Sequence, residues 1–183
     1  MRVIAGSARR MPLVTPKGNA TRPTTDRIKE TLFNIIQNDI QGCEFLDLFA
    51  GSGGIGIEAL SRGAKSASFV ESSKEAIACI RENLKKTHFS EKANLIPYDF
   101  KRALSALSAN GKRFDIIFAD PPYEAGYEED ILSGLVDGDL IGDDPLIILE
   151  TALDREPDIN DELEVIRIKE YKTNKHIFLG RKK

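Results

Sequence analysis

From residue 44 onward, short apolar runs alternate with amphipathic stretches, and no other feature limits the possible folds as much. The segments "EFLDLF" (44–49), "SASFVE" (66–71), "ANLIPY" (93–98), "FDIIFA" (114–119) and "PLIILE" (145–150) read as strands. Between them "GIGIEALSRG" reads as a short helix closed by Gly63. "SSKEAIACIRENLKKTHF" reads as a longer helix, with Ser72 and Glu75 as a capping box and Ala76, Ile77, Ile80 and Leu84 on its apolar face. Residues 100–109 and 127–136 complete the helices. Repeated strand–helix units require a parallel sheet covered on both faces. The ending differs. "LEVIRIKEY" and "HIFLGR" are separated only by "KTNK", a hairpin spacing, so the sheet is expected to finish with an antiparallel strand. The class is α/β.

Before residue 44 the pattern is different. Residues 2–5 and 12–15 look extended and form a short hairpin or arm. "DRIKETLFNIIQ" places Ile28, Leu32, Ile35 and Ile36 on one helical face, capped by Thr24 or Thr25. The chain of 183 residues suits one domain: a basic arm and helix over residues 1–40, then a core over 41–183. It is 41% hydrophobic and 30% charged, with no apolar run near the ~20 residues of a membrane span. Its first residues have no signal-peptide pattern, so a cytoplasmic protein without membrane contact is expected. Cys43 and Cys79 are far apart and the chain has two histidines, so no metal site is expected and both thiols read as reduced and structural. The net charge of −3 hides an asymmetry. Residues 1–30 carry seven basic and two acidic groups, a local +5 that leaves −8 on the rest. A basic arm on an acidic body is the electrostatic footprint of a nucleic-acid contact, or simply a solvated terminus.

"DLFAGSGGIG" (47–56) contains Gly51, Gly53 and Gly56 as G-x-G-x-x-G, after one strand and before a helix. Glu71 ends the next strand. This context suits a nucleoside cofactor: glycines admit the ligand to the backbone and the carboxylate accepts from ribose hydroxyls. Asp47, inside the strand, would repel a pyrophosphate but favours the ammonium or sulfonium end of S-adenosylmethionine. Asp99, after the third strand, is placed to accept from an adenine amino group.

The fourth strand runs into Asp120-Pro121-Pro122-Tyr123. Two prolines remove two N–H donors, fix two φ angles and hold Asp120 out of the helical region. The bend lies at the carboxyl end of its strand, where open α/β sheets bind ligands. An exocyclic amine on a nucleobase is a poor nucleophile because its lone pair is delocalised into the ring. Acceptors on both of its N–H groups turn the lone pair out of the plane. The Asp120 carboxylate and the Pro121 carbonyl are such acceptors, and Tyr123 offers a stacking ring worth ~1–3 kcal/mol. Rigid prolines leave little ordering for the reaction itself.

Together, "DLFAGSGGIG…VES…YDF…DPPY" resembles the motif series of class I S-adenosylmethionine-dependent methyltransferases that act on amino nitrogens. The resemblance implies a Rossmann-like fold with a seven-stranded, mostly parallel sheet and an antiparallel last strand. "MRVIAGSARRMPL" with "TRPTTDRIKETLFNII" and "LDLFAGSGGIGIEALSRGA" is similar to the RsmD family of bacterial 16S rRNA methyltransferases. That family makes N2-methylguanine at guanine 966 in rRNA numbering. By this resemblance Gly51, Gly53, Glu71 and Asp99 contact the cofactor, and Asp120, Pro121 and Tyr123 hold the target base. Thr25, Arg27 and Glu30 match the block bordering the cofactor's methionine end, and Arg9, Arg10, Arg22 and Arg27 of the basic arm grip RNA phosphates. The implied partner is 16S rRNA, within the small ribosomal subunit or an assembly intermediate, and the implied enzyme is a monomer. Asp-Pro-Pro-Tyr is also shared by DNA adenine-N6 and other amine methyltransferases, so the motif alone does not choose the base. An NAD-dependent oxidoreductase would use the same glycine loop, but it would have no need of Asp-Pro-Pro-Tyr.

Overall fold

The computed structural model describes residues 1–17 and 25–183. Seven strands form one sheet: β1 (Glu44–Leu48), β2 (Ser66–Val70), β3 (Ala93–Ile96), β4 (Phe114–Ala119), β5 (Ile141–Ala152), β6 (Leu163–Glu170) and β7 (Asn174–Arg181). Their spatial order is β3-β2-β1-β4-β5-β7-β6. Strands β1 to β5 pair in parallel, while β7 is antiparallel to both of its neighbours, β5 and β6. The chain builds outward from β1 to β3 and then returns to start β4 on the other side of β1. The strand order therefore reverses between β1 and β4, and a crevice opens outside the carboxyl ends of these two strands.

Among the described residues five α-helices accompany the sheet: α1 (Asp26–Ile35), α2 (Gly54–Ser61), α3 (Lys74–Thr87), α4 (Phe100–Ala109) and α5 (Glu128–Asp137). Side chains alternate across the pleat and divide the core in two. Phe45, Phe69, Ile116, Phe118 and Ile148 pack under α1, α2 and α3; Leu46, Leu48, Ile117, Ala119 and Ile147 pack under α4 and α5. Both faces are buried, which is why the central strands read as continuous apolar runs.

Several boundaries differ from the sequence reading for local reasons. Ser73, not Ser72, caps α3 by accepting from Ala76 N. The Ser72 and Ser73 amides instead donate to Glu71, and Glu75 accepts from Lys17 N rather than closing a capping box. β3 stops before Pro97, which has no N–H for the ladder. β5 starts earlier than expected, at Ile141, and its register with β4 jumps from Phe114↔Ile141 to Ile116↔Leu146. Pro145 lies inside that jump and accounts for it by the same missing donor. Thr25 caps α1 through Ile28 N.

The amino-terminal arm closes with one antiparallel bridge, Arg2↔Pro12, rather than a full hairpin. It lies along α2. The Ile4 and Ala5 amides donate to the Glu58 carboxylate at 2.8 and 3.0 Å, and Ala8 N donates to Ser61 Oγ. Glu58 also receives Arg62 at 2.8 Å and the Lys29 ammonium at 3.4 Å. Lys29 is buried, and its Nζ also donates to the Arg2 carbonyl. Burial lowers the Lys29 pKa, against the opposing pull of Glu58. One buried carboxylate thus ties arm, α1 and α2 together.

Candidate active site

Outside the carboxyl ends of β1 to β5 lies a cavity of about 950 Å³. Each wall is a segment that leaves a strand. Gly51, Ser52, Gly54 and Ile55 follow β1; Glu71 and Ser72 follow β2; Tyr98 to Lys101 follow β3; Asp120 to Tyr123 follow β4. Glu150 of β5 and Asn174 of β7 close one side, while Thr15, Pro16, Thr25, Ile28 and Lys29 lie on another.

The glycine loop is held by two carboxylates. Asp47 Oδ2 accepts from Gly56 N at 2.9 Å, and Glu71 Oε2 accepts from Gly51 N at 2.8 Å. Glu71 Oε1 takes the amides of Ser72 and Ser73. Of the three glycines, only Gly51 lines the cavity. Its φ is +56°, and a side chain there would project into open space, the space a ligand needs. Gly53, with φ +81°, caps the start of α2. Gly56 faces β2: a Cβ on it would come within 2.4 Å of the Phe69 ring. Gly53 and Gly56, grouped with Gly51 by the sequence, do not line the cavity. They shape the turn and let helix approach sheet, as the second half of such a fingerprint does.

Asp47 is buried, and burial pushes its carboxyl up to about 7, against the pull of the Gly56 amide. A cation beside it would reverse that penalty. Asp99 caps α4, with Oδ1 accepting from Arg102 N at 3.1 Å, and borders the cavity between Tyr98 and Phe100. The Arg102 guanidinium lies 4.0 Å from the centre of the Tyr98 ring. Phe49, whose φ is +63°, Phe100 and Tyr127 form an aromatic cluster nearby, with ring centres 4.9 to 6.4 Å apart.

After β4 the Asp-Pro-Pro-Tyr bend enters a single 3-10 turn at Tyr123–Ala125. The Asp120 carboxylate accepts no hydrogen bond among the described residues. Burial first, then Glu150 and Asp47, raise its pKa well above the usual carboxylate value. The Pro122 carbonyl accepts from Ala125 N, whereas that of Pro121 has no partner among the described residues. Tyr123 is partly exposed, and its hydroxyl donates to Glu150 Oε1 at 2.8 Å.

The arginines are placed differently. Arg9 and Arg10 follow the part of the arm joined to Ser61, the far end of α2 from the glycine loop, and do not line the cavity. The length of α2 separates them from it, roughly 12 Å. Arg27 is exposed on α1 and also does not line the cavity, nor does Glu30. Arg22 lies outside the described residues. Lys29 is buried and Arg2 pairs with Asp26 at 3.2 Å, so among the described residues these two basic groups of the arm have acidic partners.

Sequence reasoning missed Glu150, Asn174 and His176. Glu150 follows an apolar run as Glu71 and Asp120 do, and that shared pattern was its available signal. Asn174 and His176 come from an antiparallel strand that local pattern does not align with β5.

A family model described as "Conserved hypothetical protein 95" matches residues 1–180. YlbH of Bacillus subtilis strain 168 is 41% identical over 150 residues, 82% of each chain. The "Ribosomal RNA small subunit methyltransferase D" of Escherichia coli K12 is 36% identical over 154 residues, covering 84% of this chain and 76% of its own length. This chain belongs to the RsmD family. A solved structure of yhhF from Escherichia coli superposes on it with a TM-score of 0.87 and 33% identity, covering 99% of this chain and 97% of that one. The seven-stranded Rossmann-like sheet is the methyltransferase fold that this chain shares with its solved neighbours.

Proposed function

We propose that this RsmD-family chain transfers a methyl group from S-adenosylmethionine to the exocyclic N2 amine of a guanine in 16S rRNA. The observation that carries the reading is the pair of acceptors, the Asp120 carboxylate and the Pro121 carbonyl, left without donors among the described residues. They are set in a proline-stiffened bend opposite the glycine loop, at the strand-order reversal. Family membership supports ribosomal RNA as the substrate, since relatives bear that name.

The cavity residues fit the cofactor. Gly51 leaves open space at its Cβ position, Glu71 and Asp99 offer carboxylate acceptors, and Asp47 is a buried carboxylate with no cation beside it among the described residues. S-adenosylmethionine supplies an electrophilic sulfonium methyl. Asp47 would hold the positive end of that molecule, and Glu71 its ribose. Asp120 and the Pro121 carbonyl accept from the two N–H groups of the target amine and turn its lone pair toward the methyl. Tyr123 offers its ring to the base. The methyl group would leave the sulfonium with its bonding pair staying on sulfur, so the amine nitrogen that gains it would be left cationic. Asp120 then takes its extra proton and restores a neutral, methylated amine. The remaining arm arginines contact phosphates, with ribosomal proteins presenting the base.

Labelled methyl transfer tests the reading, with unmethylated small ribosomal subunits, protein-free 16S RNA and duplex DNA as acceptors. N2-methylguanosine from the subunits, absent with Asp120→Ala, is the expected product. Methyladenine in DNA would replace this reading with the DNA adenine one.

A further inference from the structure

We propose that Glu150, held by His176 and Asn174, is a positioning residue that fixes the Asp-Pro-Pro-Tyr bend and the Tyr123 ring for methyl transfer. The inference rests on the reading of that bend as the amine clamp, and extends it to a second carboxylate in the same cavity.

Glu150 and His176 are directly paired across β5 and β7. His176 is fully buried and Glu150 nearly so. Three donors converge on the Glu150 carboxylate: Tyr123 Oη at 2.8 Å and Asn174 Nδ2 at 2.8 Å on Oε1, and His176 Nε2 at 3.0 Å on Oε2. With Nε2 donating to the carboxylate, His176 Nδ1 is the acceptor, and the Tyr171 hydroxyl donates to it at 3.3 Å. That hydroxyl is pushed up to about 12, by burial and then by Glu150, so it stays a donor. Phe118, Tyr171 and Phe178 surround the imidazole with ring centres 4.9 to 6.3 Å away and fix its plane. The order of control runs from the β7 imidazole to the β5 carboxylate, then to a tyrosine three residues beyond Asp120.

This is more than packing, because one end of the chain of bonds is exposed. Tyr123 is 37% accessible, and its ring borders the cavity. A rigid anchor for one exposed ring needs a carboxylate with its own partners, since an unbraced buried carboxylate would be costly. The same carboxylate acts on Asp120. Glu150 and Asp47 are the charges that raise the Asp120 pKa after burial. Lys29 also lines the cavity, and Arg167 acts on Tyr171. Glu150 thereby makes Asp120 a stronger proton acceptor once the amine has been methylated.

Glu150→Gln keeps the shape and removes the charge. Tyr123→Phe keeps the ring and removes only the hydroxyl, at a site too exposed to threaten folding. Single-turnover transfer to the cognate RNA is expected to slow about 10²-fold in each, with cofactor affinity unchanged. The double variant should be little slower than either single one, because both break the same link. In Glu150→Gln the acid limb of the pH–rate profile should move to lower pH, since Asp120 loses a repelling neighbour; in Tyr123→Phe it should stay. Amide exchange at residues 120–127, which needs no acceptor, should rise in both. Transfer at the wild-type rate in both variants, or additive losses with an unmoved acid limb, would overturn the proposal. If the wild-type protein methylates no ribosomal RNA, the substrate reading fails; exchange at 120–127 then decides the anchoring by itself, and unchanged exchange refutes it.

Discussion

At the residue scale, the site is a set of carboxylates in three different environments. Asp47 is buried with one amide partner, Glu71 accepts three amides, and Asp120 accepts nothing from the described residues. Environment, not residue type, separates their roles. For Asp47 the sign is definite. Its folded pKa, about 7, lies above its unfolded value, so the folded protein without ligand holds a proton that the unfolded chain releases. Its contribution to stability falls as pH rises from the ordinary carboxylate range to about 7. Asp47→Asn should therefore stabilise the ligand-free protein more at pH 8 than at pH 5 in urea titrations. The same ionisation favours a cationic ligand, so S-adenosylmethionine should bind more tightly as pH rises through 7 and release a proton detectable by calorimetry in two buffers. Asp120→Asn should leave that binding intact and slow transfer by at least ~10²-fold in a single-turnover assay.

At the element scale, α2 joins the glycine loop to the amino-terminal arm. Its Gly56 meets Phe69 of β2, and its Glu58 gathers two arm amides, Arg62 and Lys29. Gly56→Ala should force the helix off the sheet, cost about 1–3 kcal/mol in urea unfolding, and weaken cofactor binding through the displaced loop. Lys29→Met removes one partner of a buried pair. A loss of about 3 kcal/mol is expected, moderated because Glu58 keeps Arg62 and the arm amides. Replacing Glu58 itself reaches further: Glu58→Gln should loosen the arm, read as faster amide exchange at Ile4 and Ala5.

At the scale of the whole molecule, charge is divided between a basic arm and an acidic remainder, and the cavity lies beside the arm's first residue. Under the proposed function, Arg9 and Arg10, at the far end of α2, would hold RNA at a distance from the target base. Replacing both with Gln should make RNA affinity less dependent on salt. The slope should fall by about one unit for each phosphate that is no longer neutralised, without changing which base is methylated. A changed product, rather than a changed slope, would mean that these residues read sequence.

Much of this molecule was legible along the chain, because the signals were local. Period-two apolar runs, a glycine loop after a strand and two prolines after Asp120 each act over a few residues, and their backbone consequences do not wait for distant partners. Strand number, the antiparallel end and the placing of both motifs at carboxyl strand ends follow from such signals. Pairing across the sheet is a different matter. Tertiary structure decided that Glu150 faces His176, that Gly56 packs against Phe69, and that Lys29 is buried against Glu58 instead of facing solvent. In each case the partner is 13 or more residues away in sequence, and only the register of strands and the approach of helix to sheet brings the two together.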